Sequence, residues 1–415
     1  MLNIKKIGLI LVLMSSQLAF GQVAMSLEQI FEEIKSKNVG LMAYASRIQS
    51  KDAKVEGASA WMAPMVGAGT FMTPYPFQGM AGDNDRGALM ITAEQDIPNP
   101  AKVKAKREFL EIQSKGDGYA QSALFNQFKA RARQLYFGLL IDYKRIYYQE
   151  ENKRIMETMK KLAEIRYPFN QGGLNQVFKA EGRAFESENM ILMTESSIRS
   201  KKIALNTLMN RSAEMDLQID TSFKVNFIPN ADLDTAYFAS SRSDILNMQH
   251  EINVMKKNIN LMKQEAKPDF RLRFDHMSNY SAMMPRQFTV MGMLSIPIVP
   301  WSSKMYKSEI KSMNFEQEAM RQQKAAMLSD MLGMTRSMES ELTLMQKQLA
   351  NYEQRIVPSL QKYLKVSILS YQENKSDLNT VIDGWEALNM AQMNYLDQLE
   401  KYYQMIVDYE KNIER

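Results

Sequence analysis

From Asp269 to His276 the chain alternates strictly, with Phe270, Leu272, Phe274 and His276 on one side and Asp269, Arg271, Arg273 and Asp275 on the other. A period of two marks a β-strand with one apolar and one charged face. A second run follows a short loop: Phe288, Val290, Leu294 and Ile296 alternate with Thr289, Met291, Met293 and Ser295. Weaker alternation from Met65 to Tyr75 and from Gly87 to Ile97 predicts a second pair of strands. Runs of roughly nine to eleven residues suit tilted strands crossing a bilayer. The same pattern also fits half-buried hairpins in a soluble domain.

Around these strands the pattern is helical. Stretches at about 26–60 and 242–265 lead into the two hairpins, and long breaker-poor stretches at 101–165 and 302–370 follow them. The first long stretch carries Gly116, Gly118 and Gly138, the second Gly333 and Pro358. At 1.5 Å per residue each reaches roughly 100 Å, and such length predicts coiled-coil packing. Further helices are expected at 174–210 and 378–412. The segment 211–241 is mixed, with a strand candidate at Asp216–Ile219 or Lys224–Ile228.

The order of elements repeats once. Ala63-Pro64 matches Lys267-Pro268, Tyr167 matches Tyr371, and Leu174-Asn175 matches Leu378-Asn379, all at an offset of 204. Asn38-Val39-Gly40-Leu41 against Arg242-Ser243-Asp244-Ile245 shares that offset. Collinear matches at one spacing point to an internal duplication. The segments are then 22–62, hairpin 63–98, helices 99–210 with a tip at 166–175, mixed segment 211–241, 242–266, hairpin 267–300, and helices 301–415 with a tip at 371–379. The fold class is α+β. Four strands cannot close a barrel alone, so strands that span a membrane must be pooled from several copies.

Composition narrows the chemistry. There is no Cys, and His250 and His276 are the two histidines, so thiolate catalysis and Cys-ligated zinc are excluded. No phosphate-cradling loop, Ser/His/Asp spacing or metal-ligand motif is present, which argues against an enzyme and calls for no cofactor. Lys+Arg minus Asp+Glu is 52 − 47 = +5, too weak a balance to argue for nucleic acid. Lys5 and Lys6, the apolar run Ile7–Met14 and Ala19-Phe20-Gly21 read as a signal peptide over 1–21, with Gln22 opening the mature chain. Without Cys there is no site for an N-terminal lipid anchor. Trp61 precedes the first strand and Trp301 follows the last, while Tyr75, Phe77 and Tyr280 lie near the opposite strand ends. Aromatics at both ends are what two membrane-interface girdles require.

The whole plan resembles the TolC-like outer-membrane efflux protein family, over nearly all of the mature chain. The resemblance rests on four features. Pro64 and Pro268 open the first strand of each hairpin, and Ile296-Pro297-Ile298 closes the last strand. Ile356-Val357-Pro358 is followed by Tyr371, and the hairpin tips carry Tyr167 with Gly172-Gly173-Leu174 and Tyr371 with Ser376-Asp377-Leu378. The second tip has Asn374-Lys375 where the family pattern carries glycine.

The resemblance implies a homotrimer with a twelve-stranded barrel in outer-membrane lipid, continued by an α-helical tunnel. Partners would be a periplasmic adaptor protein and an inner-membrane pump of the resistance-nodulation-division type. Asp269, Arg271, Arg273 and Asp275 would face the barrel lumen. The tips would form the periplasmic entrance and meet the adaptor, with Gly172 and Gly173 supplying positive φ for a tight turn. Among the polar tip residues Asn170, Asn175, Lys375, Asp377 and Asp383, the two aspartates would favour cations. Asp377 also reads as a helix N-cap.

Methionine is abundant, at 34 residues. Met313, Met320, Met327 and Met334 recur every seven residues, as do Met248, Met255 and Met262, with Met331, Met338 and Met345 in a further row. Heptad rows of this kind are the expected seam between helices. Thioethers are also soft ligands for Cu(I) or Ag(I), and His276, Met277, Met283 and Met284 form the most metal-like cluster. A heavy-metal cargo, copper or silver first, is one expectation; drug efflux and type I protein secretion are alternatives. A soluble periplasmic coiled-coil adaptor or scaffold shares the long helices, but needs neither the hairpins nor the duplication.

Overall fold

The computed structural model describes residues 24–75, 86–169, 172–223, 225, 227–230, 232–281 and 284–414. Residues 1–21, for which a signal peptide is expected, and Phe77, Asn170 and Met283 lie outside them.

In chain order the elements are α1 (Leu27–Lys37), α2 (Val39–Glu56), β1 (Met65–Phe71), β2 (Ala88–Ile97), α3 (Pro100–Arg166) and α4 (Leu174–Leu208). Then come α5 (Thr235–Ser241), α6 (Ser243–Gln264), β3 (Phe270–Asn279), β4 (Gln287–Leu294), α7 (Pro300–Asn351), α8 (Val357–Gln372) and α9 (Leu378–Asn412). The chain divides into two compact units, one of 1–42, 123–242 and 330–415 and the other of 43–122 and 243–329.

Expected and observed helices differ at three places. The first stretch is two helices, because Asn38 turns to an extended conformation and its side chain caps the second one. Asn38 Oδ1 accepts from the backbone N–H of Gly40 at 2.9 Å, and its Nδ2 donates to the Leu208 carbonyl at 2.9 Å. The second long helix is interrupted by a π-turn at Tyr352–Ile356. Pro358 follows two residues later. It has no N–H to give and its ring crowds the carbonyl one turn back, so the widened turn absorbs it. The mixed segment yields a short helix, α5, with Asp234 as N-cap accepting from Tyr237 N–H at 2.7 Å. Of its strand candidates, Ile219 makes an isolated parallel bridge with Met25.

The helical unit has two cores. In one, Leu27, Ile30 and Ile34 of α1 pack with Leu135, Tyr136 and Leu139 of α3, Leu205 of α4 and Val407 of α9. Tyr136 Oη donates to the Asp220 carbonyl at 2.7 Å, and burial raises this phenol to about 12. In the other, Met156, Met159 and Ala163 of α3 meet Val177 and Ala180 of α4, Leu364 and Tyr371 of α8, and Leu378, Val381, Ile382 and Trp385 of α9. The positions on α9 recur at three- and four-residue steps, giving the wide apolar stripe that buries a helix against several neighbours. Of the polar groups caught there, Trp385 Nε1 donates to the Asn152 carbonyl at 3.2 Å and Asn152 Nδ2 donates to Gln392 Oε1 at 2.9 Å, whereas the buried Tyr371 hydroxyl has no hydrogen-bond partner among the described residues.

In the other unit the strands form one antiparallel sheet in the order β1-β2-β3-β4. The heptad methionines there are only partly consistent with a buried seam. Met313 is buried, whereas Met320, Met327, Met248, Met255 and Met262 are half-buried in the single chain.

Candidate functional site

The sheet is the first candidate, and its register defines two faces. Met65 pairs with Glu94, Glu94 with Arg273 and Arg273 with Met291. The next rows are Gly67–Thr92–Asp275–Thr289 and Gly69–Met90–Met277–Gln287, with Asp96–Arg271–Met293 beyond the end of β1. Directly paired residues share a face, so every charged strand residue lies on one side. Arg271 binds Glu94 at 2.7 Å and Asp96 at 2.6 Å. Arg273 binds Asp275 at 2.9 Å, and Thr92 Oγ1 donates to Asp275 at 2.7 Å. Asp269, just before β3, pairs with Lys102 at 2.9 Å.

The opposite face holds Val66, Leu89, Ile91, Phe270, Leu272, Phe274, Phe288, Val290 and Leu294, and all of them are exposed. Asp275 on the charged face is 5% exposed, against 69% for Phe288 on the apolar one. That ordering is inverted relative to a sheet in a water-soluble protein, where the apolar face is the covered one. Trp61 and Trp301 lie beyond the end where β1 starts and β4 finishes, and Tyr75 and Tyr280 beyond the other; all four are exposed. The register separates the metal-like cluster, because His276 falls on the apolar face and Met277 on the charged one. Met284 is exposed in the loop between β3 and β4. Among the described residues no group of three or more His, Asp or Glu is placed to hold a metal ion. No described helix is long and apolar enough to cross a membrane.

The second candidate is the pair of tips, both within the helical unit. The tip after α8 is closed by a Schellman motif: Lys375 N–H donates to Ser370 O at 2.8 Å and Asn374 N–H to Tyr371 O at 3.1 Å. Asn374 takes φ 61°, so it does here what glycine does elsewhere. Gly172 and Gly173, in contrast, are not at positive φ; Gly173 is the extended N-cap of α4 at φ −92°. The expectation for those glycines is therefore corrected, and among the described tip residues the left-handed one is Asn374 of the other tip. Asp377 caps α9 as expected, accepting from the N–H groups of Asn379 at 2.6 Å and Thr380 at 3.2 Å. Partial burial raises its carboxyl, but these hydrogen bonds and Lys179 outweigh that and hold it below the usual range.

The two tips differ in exposure despite their matching sequence. Tyr371 and Leu378 are buried at 2% and 0%, whereas Tyr167 and Leu174 are 47% and 45% exposed. Asn175 and Asp383 are exposed, and Lys375 makes a surface pair with Glu373 at 2.6 Å.

Sequence reasoning missed Arg166, the last residue of α3. It is 9% exposed and reaches across to the other tip, where Nη1 donates to Tyr371 O at 2.7 Å and Nη2 to Gln372 O at 2.9 Å. These are carbonyls of the last turn of α8, where a cation also complements the helix dipole. An arginine ending a helix just before a tip tyrosine was the available signal.

No protein-family model matches the chain, and no curated protein does either. Solved structures do. The outer-membrane channel OprN superposes with a TM-score of 0.74 at 14% identity, covering 93% of this chain and 89% of its own. CusC, whose structures concern folding and transmembrane channel formation, gives 0.75 at 15% identity, covering 94% and 92%. The open MtrE outer membrane channel of Neisseria gonorrhoeae gives 0.72 at 14% identity, covering 93% and 88%. At such identities the likeness establishes the fold.

Proposed function

We propose that this chain is the outer-membrane channel of a tripartite efflux system, a TolC-like protein working as a homotrimer. The observation that carries this reading is the inverted sheet, whose exposed face is apolar and whose charges are gathered on the more covered face. Exposed aliphatic and aromatic side chains between two sets of aromatics suit lipid on one side and water on the other. The outer-membrane channels sharing the fold support it.

Strands β1 and β4 each have one free edge in the sheet. In hydrocarbon each unpaired backbone group costs several kcal/mol, so the edges have to be joined to other copies. Four strands from each of three copies give a twelve-stranded barrel, within the range known for such barrels. An internal duplication at offset 204 is supported by α4 and α9, which begin at Leu174 and Leu378 and run 35 residues each. The helices would continue the barrel as a tunnel. The tips would be its entrance, meeting a periplasmic adaptor and a pump of the resistance-nodulation-division type. Arg166 would hold the two tips of one chain together. The signal peptide would direct export, and without Cys the barrel alone would anchor the protein in the outer membrane.

The cargo we favour is a heavy-metal cation, copper or silver first, on the strength of the methionine content. Cell fractionation tests the assignment. A detergent-resistant trimer in the outer membrane is expected, and a soluble periplasmic monomer would indicate an adaptor or scaffold instead. Growth of a deletion strain on copper, silver, zinc, cadmium and hydrophobic drugs tests the cargo; sensitivity to the drugs alone would replace the metal by a drug.

A further inference from the structure

We infer that Met90 and Met277 form a two-thioether site for a soft monovalent cation of the Cu(I) or Ag(I) class. The inference rests on reading the charged face of the sheet as the wall of a conduit.

The described strands contain Met65, Met90, Met277, Met291 and Met293. By register every one of them lies on the charged face, and none lies among the Leu, Ile, Val and Phe of the other. Burial energetics argues for the reverse, since a thioether side chain gains more against lipid than against water. Packing therefore does not explain the placement, whereas ligand chemistry does.

Met90 and Met277 are direct cross-strand partners. Partners of this kind have Cβ atoms about 5 Å apart, and three rotatable bonds let both sulfurs turn towards one ion. Both residues are half-buried and so remain reachable. Their row opens on Gly69, where a Cβ would meet nothing within 4 Å, and ends on Gln287, whose amide oxygen is a further neutral donor. Glu94, Asp96 and Asp275 share the face with Arg271 and Arg273, which leaves 3 − 2 = 1 carboxylate in excess to attract a cation.

Thioethers bind soft ions without deprotonation and select them over Mg²⁺ or Ca²⁺. A site of neutral thioethers, with no thiolate or imidazole, also holds its ion weakly. Transit needs that property, because binding must be favourable enough to enter and weak enough to leave.

The test is Ag(I) uptake by the purified channel in chloride-free detergent solution, measured by titration calorimetry and by metal analysis after desalting. The wild type is expected to bind Ag(I) saturably. Met90→Leu/Met277→Leu, which keeps the apolar volume and removes both sulfurs, is expected to lose at least one ion per chain. Met305→Leu, at an exposed helix position, should bind as the wild type does. Equal uptake by the wild type and the double variant, or none by the wild type, overturns the inference. If the double variant fails to assemble, methionine-methyl NMR of the wild type decides. Ag(I) should shift the Met90 and Met277 methyl resonances and leave Met305 in place; unshifted resonances overturn the inference. Planar-bilayer recording of the same preparation separates the two levels. Conductance without Ag(I) binding overturns this site alone, and absence of conductance overturns the channel reading.

Discussion

The guanidinium of Arg166 lies 4.3 Å from the centre of the Tyr371 ring while donating to the Tyr371 carbonyl oxygen at 2.7 Å. One residue at the end of α3 thus fixes both the ring and the backbone of the opposite tip. Hydrogen bonds from a charged donor contribute about 1.5–3 kcal/mol each. Arg166→Ala, which removes two such bonds, is expected to cost roughly 3–6 kcal/mol by that measure, read from a denaturation midpoint. Under the channel reading it should also raise resting conductance. Arg166→Lys should recover only part of either effect, because an ammonium cannot reproduce the two-pronged contact.

Asn374 supplies the left-handed residue of its tip at φ 61°. A side chain with no local hydrogen bond to offer is strained there by about 1–2 kcal/mol. Asn374→Ala should therefore lower stability by about that amount, whereas Asn374→Gly should be close to neutral. Thermal unfolding of the two variants side by side checks this.

His250 is a largely buried titratable group. The residue is 9% exposed, its ring lies 5.4 Å from that of Tyr119 at a tilt of 44°, and a Cβ on Gly116 would come within 3.1 Å of it. Burial depresses its pKa, and a hydrogen bond with the Ile112 backbone opposes this without cancelling it. The unfolded chain then binds a proton that the folded chain refuses. Stability present above pH ~6.5 is lost as the pH falls from there through the depressed folded value. His250→Gln should flatten the slope of stability as the pH falls below about 6.5.

Arg271 bridges Glu94 and Asp96 on the charged face and offsets one of their two charges. Arg271→Ala leaves both carboxylates without that partner. In a conduit lined by this face, the reversal potential under a salt gradient should move towards cation preference, and the shift should shrink at high salt. An unchanged potential would place the charged face away from the ion path.

The sheet was the most legible part of the fold, because alternation over 270–276 dictates both the strand and its faces. Asp377 was legible as a cap for a similar reason, a local rule acting over three residues. Arg166 was not, since its partners lie more than two hundred residues away and only the tertiary fold brings them together. The break at Asn38 was hidden because its side-chain bond to Leu208 is also long-range. The glycine expectation at Gly172 and Gly173 failed because composition identifies a permissive backbone without showing which residue of a turn takes positive φ. The unequal burial of Tyr167 and Tyr371 shows the same limit: matching sequences acquire different surroundings once α9 packs beside one of them.

The central claim is that the charged face of this sheet lines a pore. Single-channel recording of the purified protein in a planar bilayer tests it most directly. Discrete conductance steps, with ion preference altered by Arg271→Ala, are the expected result. A bilayer that stays silent when the protein has inserted as an intact oligomer would contradict the account.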